Sequence, residues 1–244
     1  MKKFKFNNIE IKDIGLIVSE GAGEKLSQEE YETIKVEGMN GSLIVNKGTY
    51  PDIEKTFVIT ALDYVEEEDI GGLMDSIKQL LFNIQDNRLY YSYEYRYNLV
   101  KKVIISEDIK TSFENFGDFA VTFLCEPFYY IDEDPVEILK ISEQEENTIT
   151  FRNEGDFKSL PIIEVYGIGD LEFVLNGEVI RIENANGYVK IDSKLLICVD
   201  DEGANKAADI NIDFPMLPIG NNSVSIFQDS LVEKIIITKR TTYR

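Results

Sequence analysis

Hydrophobic and polar positions along the chain follow two periods, and the shorter one dominates. Runs rich in Val, Ile, Phe, Tyr and Thr, bounded by Gly, Asn, Asp and Pro, recur from end to end and predict strands. Phe4-Lys5-Phe6 and Ile9-Glu10-Ile11 alternate like strands, joined at Asn7-Asn8, residue types that suit a tight hairpin. Ile34-Lys35-Val36, residues 41–45 and residues 55–62 continue the series, with a turn over 46–52. One segment has the longer period. Ile70, Leu73, Met74, Ile77, Leu80 and Leu81 recur at i, i+3, i+4 and i+7, which predicts a helix over 69–82. Glu66, Glu67, Glu68 and Asp69 stand at its front, where negative charge favours the helix dipole. The stripe suits packing on a sheet better than a partner-binding surface.

After the helix, Tyr91-Ser92-Tyr93-Glu94-Tyr95-Arg96-Tyr97 alternates strictly and predicts one strand with four tyrosines on one face. Three uses are open to such a stripe: burial against the helix, a subunit interface, or stacking on sugar rings. Residues 101–106 and 118–125 predict further strands, the second ending at Glu126-Pro127-Phe128-Tyr129-Tyr130. Asp132-Glu133-Asp134-Pro135 is poor strand material and marks a candidate domain boundary.

Beyond it, short strands come at regular intervals: 148–152, 160–166, 171–175, 178–183, 188–191, 195–199, 223–227 and 231–238. Asn176-Gly177 and Asn186-Gly187 are strong hairpin signals between them, and Gly167-Ile168-Gly169 fits another turn. Eight or so strands without a helix predict a β-sandwich of jelly-roll style. The expected fold class is therefore mainly β. A domain over residues 1–135 carries the one helix, and a sandwich spans 136–244.

Composition removes functions rather than adding them. The 244 residues include no histidine, the usual general base near neutral pH and the commonest metal ligand. Ser-His-Asp and Cys-His machinery and ordinary zinc sites are thereby excluded. With 45 acidic and 25 basic residues the formal charge is −20, which repels nucleic acid. The two cysteines, Cys125 and Cys198, lie far apart and are expected to be buried thiols in strands. No apolar stretch reaches membrane-spanning length, and the basic N-terminus has no apolar run behind it, so neither membrane insertion nor a secretory signal is expected.

Tests for particular chemistry end the same way. The acidic clusters at 66–69, 132–134, 143–146 and 200–202 lack the alternating spacing of a calcium loop and are expected to be solvated loops and a helix N-terminus. Gly21-Ala22-Gly23 is followed by Glu24, without the Gly-Lys-Ser/Thr of a phosphate-binding loop. No catalytic, cofactor-binding or metal residue is singled out, no cofactor is expected, and the binding residues stay unassigned. The chain is expected not to be an enzyme.

The order of motifs is more specific than any one of them. Val36-Glu37-Gly38-Met39-Asn40-Gly41-Ser42-Leu43, then Gly48-Thr49-Tyr50-Pro51-Asp52, the single helix, and Phe119-Ala120-Val121-Thr122-Phe123-Leu124-Cys125-Glu126-Pro127-Phe128-Tyr129 follow one another in the first half. Residues 151–163, from Phe151-Arg152-Asn153 to Pro161-Ile162-Ile163, then Gly167-Ile168-Gly169-Asp170, Ile191-Asp192 and Phe214-Pro215-Met216-Leu217-Pro218-Ile219-Gly220-Asn221-Asn222 follow in the second. In this order the chain resembles the distal tail (Dit) proteins of phages with long, non-contractile tails. It departs from them in the density of the tyrosine segment and in Tyr243, where an aromatic such as Trp is more typical.

The resemblance implies a first domain that assembles as a hexameric ring below the tail tube, and a galectin-like or carbohydrate-module-like sandwich that projects outward. The last strand and tail are left room to return to the first domain. It further implies a structural virion component of the tail tip, made in the cytoplasm of the bacterial host from a phage or prophage gene. Its expected partners are further copies of itself, the tail tube protein, a tail-associated lysin or fibre protein, and a receptor-binding protein. DNA would pass through the ring without specific binding, a passage that an acidic wall suits. The competing expectation is a carbohydrate-binding module for a bacterial cell-wall glycan.

Overall fold

The computed structural model describes residues 3–23, 26–62, 70–93, 95–105, 108–139, 147–211 and 213–244, the side chains of 113–116 excepted. The acidic clusters at 66–69 and 143–146 and Glu94 lie outside the described residues. The fold is mainly β, with two α-helices among the described residues. The chain divides into two compact units, Met1–Asp132 together with Arg244, and Glu133–Tyr243.

In the first unit the strands are β1 (Phe4–Phe6), β2 (Ile9–Glu10), β3 (Leu16–Glu20), β4 (Tyr31–Ile34), β5 (Leu43–Asn46), β6 (Ile53–Ala61), β7 (Arg88–Tyr91), β8 (Arg96–Ile104) and β9 (Asp118–Ile131). Helix α1 spans Ile70–Leu81 and α2 spans Ile109–Phe116. Within the first unit, seven strands of one antiparallel sheet run in the order β2-β1-β7-β8-β9-β6-β3. Its two outer strands, β2 and β3, are consecutive in the chain, joined by a 3-10 turn at Ile11–Ile14. The sheet must therefore curl until its edges are one turn apart. Inside the curl lie Phe4, Phe6, Leu16, Phe57, Ile59, Phe119, Val121 and Phe123, joined by Ile77, Leu80 and Leu81 from α1. The helix stripe is thus core packing, as its periodicity predicts.

Local chemistry explains the joints. Asn7 and Asn8 both adopt positive φ (52° and 61°), the geometry of a two-residue hairpin that Asn tolerates. The Asn7 amide also donates to the Gln79 and Asn83 carbonyls, and its Oδ1 accepts from the Gln85 and Asp86 N–H groups. One side chain thereby ties the end of α1 to the first hairpin. Strand β9 runs on through Pro127 instead of stopping there. The pairing with β8 steps from Asn98–Tyr129 to Val100–Cys125, so Pro127 sits in a bulge where no ladder N–H is needed. Helix α2 is not anticipated by the strand-like pattern. Asp108 supplies its start, accepting the Thr111 N–H at 2.8 Å.

The tyrosine segment corrects the sequence expectation. It is not one strand but a hairpin turn, with β7 ending at Tyr91, β8 starting at Arg96, and Ser92 at φ 67°. The Ser92 N–H is held by the Lys3 carbonyl. Tyr91 turns inward against Phe57, Tyr93 and Tyr95 stay exposed at the turn, and Tyr97 faces away from the core. A tyrosine row does form, but across strands: Lys5, Tyr90, Tyr97 and Tyr130 are successive cross-strand partners on the outer face of β1, β7, β8 and β9.

The second unit contains β10 (Val136–Leu139), β11 (Asn147–Asn153), β12 (Ile162–Leu175), β13 (Glu178–Asp192), β14 (Ile197–Asp200), β15 (Gly220–Ile226), β16 (Val232–Thr238) and the short β17 (Thr242–Tyr243). Here two predicted hairpin turns are not turns. Gly167-Ile168-Gly169 and Asn186-Gly187 face each other within one long ladder, Gly167 opposite Gly187 and Ile168 opposite Asn186. Only Asn176-Gly177 closes a hairpin, between β12 and β13. The facing glycines let this ladder bend. Before the bend β12 pairs with β16, and after it with β15, so the hairpin contributes to both layers of a β-sandwich. A Cβ on Gly167 would drive into the Leu231 carbonyl, so that corner admits no side chain. Ile163, Val165, Phe173, Ile180, Val189, Val224, Ile235 and Ile237 fill the interior. Arg240 clamps Asp192, which is 2% exposed, through two hydrogen bonds of 2.5 and 2.9 Å.

Candidate functional site: assembly surfaces of the first unit

The two cysteines and several tyrosines are packed into strands. Cys125 and Cys198 are free and buried in β9 and β14, and burial pushes their thiols up to about 12 and about 11. Neither is a ready nucleophile. Burial, reinforced by a hydrogen bond to Asp132, raises the Tyr90 phenol well above its ordinary value. Tyr130 donates to Glu126 at 2.5 Å, and Tyr97 stacks on Tyr130 with ring centroids 5.7 Å apart. Lys55 lies on the inward face of β6, 5% exposed, and donates to the Tyr129 hydroxyl at 2.9 Å.

The acidic segments that are described, 132–134 and 200–202, lie in largely exposed turns, and some of their carboxylates also hold those turns or pair with lysine. Asp132 accepts from Tyr90, Glu133 pairs with Lys239 at 2.6 Å, and Asp200 accepts from the Glu202 and Ala204 N–H groups of its own turn. Among the described residues no group of three His, Cys, Asp or Glu side chains is placed to hold a metal.

Two features of the first unit are built for contact. The first is the β4–β5 hairpin, a two-stranded antiparallel sheet that pairs with no third strand among the described residues. Every residue from 30 to 49 is exposed. Tyr31, Ile34, Val36, Met39, Leu43, Ile44 and Val45 are therefore all open to solvent, Ile44 at 63%. Alternation normally hides one face of a strand, but this hairpin hides neither. At its base Glu30 exchanges backbone hydrogen bonds with Lys47 and Thr49, and Glu29 accepts the Gly48 N–H. Gly38 and Gly41 take positive φ at its tip. Isolated two-stranded hairpins are marginal in water, and contiguous exposed apolar surface marks an interaction site.

The second feature is a groove of about 1190 Å³ between α1, the end of β8 and the start of α2. Ile70, Met74, Ile77, Val103, Ile105 and Ile109 form its apolar lining, and Lys78, Lys102 and Lys110 stand around it with Asp75 and Asp108. The sequence pattern places β5 at 41–45 and the end of β8 at 101–106, but its strand at 34–36 meets β4 only at Ile34. It does not reveal that β4 and β5 lack a sheet to lie on.

The second unit offers less. None of its eight aromatic residues is exposed enough to serve as an open stacking platform, and Tyr166 and Tyr188 lean on each other with centroids 5.2 Å apart. Its open apolar side chains are aliphatic, among them Leu195 and Leu196 at the turn after β13.

No protein-family profile matches the sequence, and no curated protein matches it. Among solved structures, the fold matches the crystal structure of the SPP1 Dit (gp 19.1) protein, described as a paradigm of the hub adsorption apparatus in phages that infect Gram-positive bacteria. The match covers 98% of both chains with a TM-score of 0.65 at 14% sequence identity. The two proteins share a fold along almost their whole length.

Proposed function

We propose that this chain is a structural hub of a long, non-contractile phage tail tip, with no catalytic role. In this reading residues 1–135 assemble as a hexameric ring beneath the tail tube, and residues 136–244 form an outward sandwich. The ring joins the tube to a tail-associated lysin, fibre or receptor-binding apparatus and lets DNA through. The protein acts in the virion, after synthesis in the host cytoplasm.

The observation that carries this reading is the end-to-end fold match to a hub protein. The exposed hairpin adds to it, because a protomer with an exposed apolar arm is suited to assembly. Contacts between unlike surfaces of identical copies generate rings when the rotation closes. Light scattering on the chromatographically purified chain tests the proposal. A closed multiple of the 27.9 kDa protomer is expected, whereas a strictly monomeric species at every concentration would sink it.

A further inference from the structure

The dipeptide Asn-Gly occurs three times in the sequence, at Asn40-Gly41, Asn176-Gly177 and Asn186-Gly187. It is chemically fragile, because glycine has no Cβ to keep its backbone nitrogen away from the preceding side-chain amide. Whether that nitrogen reaches the amide depends on how each pair is held, and the three are held differently.

At Asn176 both ends of the carboxamide are engaged. Its Nδ2 donates to Asn222 at 2.9 Å, and its Oδ1 accepts the Ser223 N–H at 2.9 Å. Its own N–H donates to the Ser223 carbonyl, which fixes the turn. At Asn186 the backbone is the restraint. Asn186 and Gly187 stand opposite Ile168 and Gly167 in the β12–β13 ladder, so Gly187 cannot turn its nitrogen without unpairing the strands. Asn40 has neither restraint. It is exposed at the β4–β5 tip, beyond the last paired residues, Ile34 and Leu43. Among the described residues its side chain makes no hydrogen bond, and the one backbone hydrogen bond within 35–42 joins the Met39 N–H to Val36. Gly41 has open space where a Cβ would stand.

We infer that Asn40 is a site of spontaneous modification, at which the chain deamidates through its own backbone. The Gly41 nitrogen gives up its proton to solvent and bonds to Asn40 Cγ. The bond from Cγ to the side-chain nitrogen breaks, ammonia leaves, and a cyclic imide is formed. Water then opens the ring. Opening at the side-chain carbonyl leaves aspartate, and opening at the main-chain carbonyl leaves isoaspartate, whose backbone runs through the former side chain. Amide and water thus become carboxylate and ammonium, with no oxidant or reductant. Either product adds a negative charge to the apolar arm, among Val36, Met39 and Leu43.

The test uses the full chain, kept folded in warm, mildly alkaline buffer and sampled over time. A brief tryptic digest places the three pairs on separate peptides, 36–47, 159–181 and 182–190, and fragmentation mass spectrometry assigns each amide-to-acid change to its residue. Acid is expected to form at Asn40 at least several-fold faster than at Asn176 or Asn186. In the urea-unfolded chain the three rates should converge, chiefly because Asn176 and Asn186 speed up. Equal rates in the folded chain, or faster change at Asn176 or Asn186, would overturn the inference. So would a folded-state order that persists in urea, since sequence rather than structure would then set it. None of these readouts depends on the hub reading, which stands or falls separately.

Discussion

Gly167 and Asp192 show how single residues shape the second unit. At Gly167 the backbone passes so close to the Leu231 carbonyl that a methyl group has no room. Gly167→Ala is expected to destabilise the sandwich by on the order of 1–3 kcal/mol, the usual cost of forcing atoms into a packed site. Gly72→Ala, in an open position on α1, should be neutral or stabilise by up to about 1 kcal/mol. Urea unfolding of the two variants against the parent reads the contrast, and equal effects would remove the corner from the account.

Burial works against the charged form of Asp192. The Arg240 hydrogen bond, together with the Leu195 and Lys194 N–H groups, outweighs it and holds the carboxyl below its ordinary value. A carboxylate with a depressed folded-state pKa stabilises the fold above its unfolded value, about 3.9, and loses that contribution as the pH falls through the folded one. The stability difference between the parent and Asp192→Asn should therefore be constant near neutrality and shrink below about pH 4. Arg240→Ala, which strands a buried charge, should cost about 3 kcal/mol at neutral pH.

Elements differ in how far the sequence exposes them. Asn7-Asn8 and the stripe from Ile70 to Leu81 are strong local signals, and the first hairpin and α1 follow from them. Helix α2 is not read from the sequence, because Ile109, Thr111 and Phe113 suit a strand as well as a helix and a single Asp before them is a weak start signal. Facing glycines and turn glycines look alike in sequence. Whether Asn186-Gly187 reverses the chain or faces a second glycine depends on pairing with residues about twenty positions away. The same limit hid the tyrosine row, which is assembled from three strands rather than written along one. It also hid the character of β4 and β5, whose composition is that of buried strands.

At the scale of elements, then, the hairpin should behave unlike the sheet. In the monomeric state its amides at 31–34 and 43–46 should exchange with solvent far faster than those of β6 and β9. They should gain protection on self-association. Ile44→Asp is expected to leave the unfolding free energy of the monomer within about 0.5 kcal/mol of the parent, as a surface change, while abolishing that gain. Unchanged protection in the variant would show that the hairpin is not a contact surface.

For the whole molecule, two opposing terms govern assembly. Apolar contact favours it, and a charge of −20 on each copy opposes it at long range. Salt near physiological strength shortens that repulsion to about 8 Å and leaves buried apolar contact intact. Assembly is therefore expected at that ionic strength. Negative-stain electron microscopy of the purified chain should give class averages of a closed six-fold ring with an open centre. Isolated protomers at every concentration, or open filaments without closure, would contradict the hub account.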